Sequence, residues 1–152
     1  MRTSCGKSWW GALLLLAVLG AGSVRAESAS VDVHGVNASE PGKKDKNIPA
    51  SLNAYRAVLQ TTTFGTFKDA GGQSVKAAAG GQGSASVAGY SVEIAVTKAS
   101  GGKAKVDVTI KQGGKAIANP VTYNLSKGEP ISMQVGDGNA PTIFIFTLES
   151  TD

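Results

Sequence analysis

His34 is the only histidine of the chain, and Asp32 lies two residues before it. On a strand that spacing puts both side chains on one face, where a carboxylate can orient a general base. A Ser–His–Asp hydrolase also needs a serine aimed at the imidazole. Serines are plentiful, but no Gly-x-Ser-x-Gly turn occurs, and the orienting aspartate of a triad normally comes from elsewhere in the fold. The plainer reading is a histidine on a strand flank, solvated or bonded to a loop carbonyl.

Other chemistries find little support. The only cysteine is Cys5, so with a single histidine no zinc set is expected. Asp137-Gly138-Asn139 is the nearest approach to a calcium loop, but the remaining ligands are missing and those residue types are what a tight turn requires. No Gly-x-x-x-x-Gly-Lys-Ser/Thr occurs, and the glycine pairs join strand to strand, so no phosphate loop is expected. Among the acids no pair stands out for glycoside chemistry. Phe64 and Phe67 flank Gly65-Thr66 and could stack on sugar rings, although such residues more often pack into a core. Asn37-Ala38-Ser39 and Asn124-Leu125-Ser126 match the glycosylation tripeptide. No cofactor is expected.

The first residues read as an address. Arg2 and Lys7 give a positive start, Trp9 to Gly22 is uncharged and rich in leucine, and Val24-Arg25-Ala26 ends the segment with small residues at the positions a signal peptidase reads. Residues 1–26 are therefore expected to be a cleaved secretory signal, and 27–152 a single β-rich domain that is periplasmic or extracellular. The apolar core is short for a membrane span, and no stable insertion is expected after cleavage. Over the whole chain Lys and Arg number 15 against 11 acids, a net charge of +4. Arg2, Lys7 and Arg25 leave with the signal, which lowers the net charge to +1. A nucleic-acid partner needs a basic surface, so none is expected. With Cys5 removed no disulfide is available, and core packing or a partner must hold the domain together.

The elements follow from periodicity. Val31-Asp32-Val33-His34-Gly35-Val36 alternates as a strand, and residues 40–47 form a polar, turn-rich loop. Leu52, Tyr55 and Leu59, with Ile48 and Val58, make an apolar stripe over 49–60, and Pro49 suits a first helical turn. From Phe64 onward the chain reads as strands punctuated by glycine. Ala-Gly-Gly-Gln occurs at 70–73 and again at 79–82, which reads as two hairpin turns. Residues 77–89 are too poor in large side chains to assign beyond a strand pair or a loop. Ile143-Phe144-Ile145-Phe146 is apolar on both faces and belongs between neighbours under a covering element.

The turns allow a register test, because pairing must place apolar opposite apolar. A loop Ser100-Gly101-Gly102 pairs Val96 with Val106, Ile94 with Val108 and Val92 with Ile110. A Gly113-Gly114 turn pairs Ile110 with Ile117, Val108 with Asn119 and Val106 with Val121, with Pro120 marking a bulge or an unpaired N–H. A loop 126–130 pairs Leu125 with Ile131, Tyr123 with Met133 and Val121 with Val135. The expected fold class is α+β, mainly β: an antiparallel β meander, sandwich-like or rolled, with one short N-terminal helix packed on it.

The functional expectation is an exported, non-catalytic domain that works by binding or structural assembly with a protein partner. A carbohydrate- or small-ligand-binding module is the alternative, resting on exposure of Phe64, Phe67, Tyr90 or Tyr123. A small exported hydrolase is the third, resting on a serine or carboxylate within reach of His34. The wet face of the meander carries Ser91, Glu93, Thr97, Lys105, Asp107, Thr109 and Lys111, with Glu93 facing Thr109 and Thr97 facing Lys105. That mixture directs binding away from this face and toward an edge, with Val87, Ala88, Gly89 and Tyr90 the candidate residues.

Overall fold

Alternating valines begin the described chain. Ala29, Val31 and Val33 are buried while Ser30, Asp32 and His34 are half-buried, the period-two pattern of a strand with one dry face. This strand, β1 (Ser28–Pro41), opens a computed structural model that describes residues 27–152. The expected signal segment, 1–26, lies outside the described residues.

β1 is central in a four-stranded antiparallel sheet of order β2-β1-β9-β8, formed with β2 (Phe64–Ala78), β8 (Ile131–Val135) and β9 (Thr142–Thr151). A second antiparallel sheet runs β3 (Gln82–Val87), β4 (Tyr90–Ser100), β5 (Lys103–Gln112). The far edge of β5 is shared by the two-residue β6 (Lys115–Ala116) and by β7 (Val121–Ser126). One buried cluster joins Val31, Val33, Phe144 and Phe146 of the first sheet to Val92, Ile94, Val106 and Val108 of the second. A smaller cluster lies on the other face of the first sheet, with Val36, Ala38, Ile143 and Ile145 under Leu52 and Leu59. β9 is thus covered on both faces, and each large side chain it buries contributes about 1.5–3 kcal/mol.

The described chain opens on a strand, and its one short helical segment follows β1. That segment is less regular than the stripe over 49–60 implies. It is a 3₁₀ turn over Ala50–Tyr55 followed by a single α-turn, Arg56–Gln60. Pro49 stays extended with ψ 153°, no side chain caps the start, and the Leu52 N–H bonds the Pro49 carbonyl at 3.0 Å. An uncapped start favours the tighter three-residue repeat. Thr61 and Thr62 close the segment by donating to the Val58 and Leu59 carbonyls. Leu52 and Leu59 are fully buried, whereas Tyr55 is only half-buried.

The register of β4 on β5 follows the apolar alternation through Val92–Ile110, Ile94–Val108 and Val96–Val106. Beyond Val96 it departs. Gly101 (φ 59°) and Gly102 (φ 79°) alone make the turn, because two positive-φ glycines fit the hairpin turn whose twist matches the strands. The extra residue is absorbed as a bulge at Thr97, and Lys98 pairs with Lys105 where Thr97 was expected. At Gly113-Gly114 the chain also turns in two residues, and the Ile117 N–H bonds the Ile110 carbonyl at 3.0 Å. Past Pro120 the register has moved by two, with Val108 opposite Val121 and Val106 opposite Tyr123. An even shift keeps every side chain on its face.

The single meander is not formed. Leu125 does not pair with Ile131: β7 stays on β5, while β8 joins β9 in the other sheet. The connection is held from both sides, by the Lys127 N–H on the Gly102 carbonyl at 2.9 Å and the Gly128 N–H on the Leu148 carbonyl at 3.3 Å. The two Ala-Gly-Gly-Gln copies also differ. The second lies at the β2–β3 turn, whereas the first is a bulge inside β2, with His34 opposite Gly72, Val36 opposite Asp69, and Gly71 at φ 87°.

Candidate functional site

The β2 bulge brings Asp69 to His34. The imidazole Nε2 donates to Asp69 Oδ1 at 2.8 Å, and the Gly71 N–H donates to the same oxygen at 2.8 Å. Burial pushes the Asp69 carboxyl up, but the Gly71 N–H, the Ser51 hydroxyl and His34 together outweigh it and hold the acid below its ordinary value. Asp32 shares the face of His34 as its spacing requires, yet its partner is Tyr55, whose hydroxyl donates to Asp32 Oδ2 at 2.6 Å. The Tyr55 ring lies over the imidazole with centroids 4.8 Å apart. Burial first, then the Asp32 acceptor and the charges of Asp32, Asp69 and Glu149, push the Tyr55 phenol well above its ordinary range.

The Asp69 carboxylate lies within reach of His34, the condition on which the hydrolase reading rested, so the arrangement around the imidazole decides what this cluster can do. A nucleophile relay places the base between hydroxyl and carboxylate. Here the partner of His34 Nε2 is a carboxylate, Asp69, and among the described residues no hydroxyl bonds either ring nitrogen. The lowered pKa of Asp69 also makes it a weak proton acceptor. Nδ1, the other ring nitrogen, faces Gly72, where an added Cβ would lie 2.5 Å away. The cluster locks β1, β2 and the helical segment together.

Beside it runs a shallow cleft of about 210 Å³ whose walls include Asp32, Tyr55, Pro130, Thr147 and Glu149. Glu149 accepts from Ser30 Oγ at 2.8 Å and Ser74 Oγ at 3.1 Å. Thr147 Oγ1 is buried without a hydrogen-bond partner.

A different surface lies on the second sheet, on the face turned from the shared core. Lys98 of β4 faces Lys105 of β5, and Lys105 faces Asn124 of β7. In the next row Ser100 faces Lys103, which faces Ser126. These residues line a concavity of about 540 Å³. Outside the concavity Lys43 is answered by Glu40, Lys76 by Asp152, Lys111 by Glu93 and Lys46 by the Thr62 and Phe64 carbonyls, whereas Lys44, Lys68, Lys115 and Lys127 stand without an acid among the described residues. Among the described residues no acid pairs with Lys98, Lys103 or Lys105. Like charges directly opposite one another oppose folding. The mixed face expected from the sequence is found at the other end of these strands, where Glu93 faces Thr109 and Thr122 donates to Asp107.

The expected edge residues, 87–90, close the β3–β4 hairpin. Val87 is buried and packs over Gly35, where an added Cβ would lie 2.6 Å from Val87 Cγ1. Ala88 (φ 54°) and Gly89 (φ 81°) make the β3–β4 turn, and Tyr90 packs edge-on against Phe144 at 5.5 Å. The Ser86 N–H donates to Gln73 Oε1 at 3.1 Å. Phe64 and Phe67 are core residues, each 3% exposed. Tyr123 is half-buried against Phe146. Asp137 accepts the Asn139 N–H at 3.0 Å in the β8–β9 turn.

Sequence reasoning missed the Asp69 partner, 35 residues from His34, and the lysine concavity. The signal for the second was present in Gly101-Gly102, whose two-residue turn moves Lys98 into line with Lys105. No family model, curated protein or solved structure matches the chain.

Proposed function

We propose that this chain is an exported, non-catalytic β-rich domain that acts by binding, and that its ligand surface is the basic concavity of Lys98, Lys103 and Lys105. In this reading 1–26 is a cleaved signal, and the two sheets form a sandwich-like body with the helical segment as an outer cover. The observation that carries the proposal is the Lys98–Lys105 pair without an acid. A domain that sets like charges directly opposite one another presents them to an anionic group on a partner. The placement of His34, with Nε2 on the Asp69 carboxylate and Nδ1 against Gly72, supports the non-catalytic part. The exposed backbone of Gly89, at the tip of the Val87–Tyr90 turn, is the second contact proposed for a protein partner.

Lysine footprinting tests this. The protein is acetylated alone and in the soluble extract of its own envelope or secreted fraction, and each site is read by mass spectrometry. Protection is expected at Lys98, Lys103 and Lys105 and not at Lys44 or Lys115. Equal labelling of all five in both conditions overturns the proposal.

A further inference from the structure

We infer that the basic concavity takes an anionic oligosaccharide, a hydroxyl-rich carrier bearing sulfate, phosphate or carboxylate groups. The inference rests on reading the concavity as the binding surface and adds the class of ligand.

The lysines form a compact grid. Lys98 and Lys105 are cross-strand neighbours, and Lys103 lies two residues from Lys105 on the same face. Neighbouring strands are about 4.8 Å apart and same-face residues about 6.8 Å apart along a strand. An oxyanion held between such ammonium groups gains charge-assisted hydrogen bonds. Between and beside the lysines stand Ser100, Asn124 and Ser126, whose hydroxyl and amide groups donate and accept and so match sugar hydroxyls.

The same surface fits other polyanions poorly. A nucleic acid is tracked over many phosphates and stacked on aromatic rings. Here no aromatic residue lines the concavity, Tyr123 is turned inward onto Phe146, and Glu93 and Asp107 follow along the same strands. A lipid surface is held by exposed apolar side chains together with charge. Ile117, 40% exposed, is the one exposed large hydrophobic among the described residues, and it does not line the concavity.

The test is calorimetric titration of the protein, produced from the full-length chain, at about 0.1 M salt, where screening beyond about 10 Å removes diffuse attraction. The probes are sucrose octasulfate, sucrose, inorganic sulfate, and phosphatidylcholine vesicles containing phosphatidylglycerol. Sucrose octasulfate is expected to bind at least tenfold more tightly than inorganic sulfate, and sucrose not at all. Lys98→Gln, Lys103→Gln or Lys105→Gln should each weaken binding about tenfold, the size of one charge-assisted contact, and Lys115→Gln should leave it unchanged. The triple glutamine variant should lose binding while melting no lower than the parent, because repulsion has been removed. Equal affinity of parent and triple variant overturns the inference, as does inorganic sulfate matching the sulfated sugar. Vesicle binding without sugar binding also overturns it. Footprint protection of the three lysines without binding of the sulfated sugar removes this ligand class and leaves the binding surface standing.

Discussion

The outward faces of the two sheets are finished differently. On the first sheet, Val36, Ala38, Ile143 and Ile145 are roofed by Leu52 and Leu59, and the polar residues beyond them are tied in pairs: His34 to Asp69, Asp32 to Tyr55, Glu149 to Ser30 and Ser74. On the second sheet, among the described residues, no element covers the corresponding face and three neighbouring lysines have no acid. Each carboxylate of the first face has a partner whose loss would destabilise the fold. Each of those lysines has a neighbour whose loss would relieve it. Stabilising contacts are concentrated on one side and unanswered charge on the other.

The sharpest way to break this contrast is to uncover the first sheet. Leu59→Ala removes a fully buried side chain from the roof and should cost about 2–5 kcal/mol. Urea unfolding followed by tyrosine fluorescence measures it. A loss no larger than that of an exposed substitution such as Ala57→Ser would show that the roof is not integral.

The polar seam should matter less but distinctly. Tyr55→Phe leaves Asp32 without its donor and should cost about 1–2 kcal/mol at neutral pH. It should also change the alkaline limb. A phenol whose folded pKa lies above the ordinary 10.0 contributes stability that is complete below pH 10.0 and is lost as pH rises through the folded value. Parent stability should therefore fall above pH 10.0, and Tyr55→Phe should fall less steeply. Parallel curves would remove Tyr55 as the cause. Asp69 acts at the acid end with opposite sign. Its lowered pKa contributes stability that is present above the ordinary 3.8 and is lost as pH falls through the folded value. Asp69→Asn should be less stable at neutral pH and flatter between neutral and acid conditions, as a series of urea midpoints will show.

The smallest effect has the opposite direction. Lys98→Gln should stabilise by about 0.2–1 kcal/mol by removing repulsion from Lys105, measured as a rise in urea midpoint at constant slope. Added salt should raise the parent midpoint more than the variant's. A destabilised Lys98→Gln would mean that the lysine stem packs on the strand, and the two faces would then be more alike than their charges imply.

Much of the architecture was legible because apolar alternation is a physical constraint on any half-buried strand. Val92, Ile94 and Val96 could pair with Val106, Val108 and Ile110 in few ways, and they pair as the pattern requires. Ile143-Phe144-Ile145-Phe146 needed cover on both faces and has it. Alternation fixes which side chains face inward but not which edge a strand joins. Val121, Tyr123 and Leu125 would satisfy it equally against β8 or against β5, so the change of sheet after Ser126 could not be read. The candidate site was hidden for a similar reason. A bulge is one residue long and shifts the phase of burial along the strand, here from Val92, Ile94 and Val96 to Ala99, so that Thr97 and Lys98 are both exposed. Thr97 is such a residue, and it decides whether Lys105 meets a hydroxyl or another cation. His34 was visible as a residue but not as a pair, since Asp69 reaches it only through the irregularity at Gly71.

The central position of β1 has a consequence for the order of assembly. Its hydrogen-bond partners on one side come from β9, and Ser28 meets Asp152 across 124 positions of sequence. The hairpin of β4 and β5 closes over two glycines and is a local structure of the kind that forms in microseconds. β1 can acquire β2 early, but its other edge stays open until the last strand has arrived. The fold therefore has a high contact order, and its completion is a late, long-range event. A chain emerging from its N-terminus would carry an unsatisfied valine-rich strand edge for nearly its whole length. That edge is the segment a chaperone would have to shield, and the one through which two incomplete copies would exchange strands.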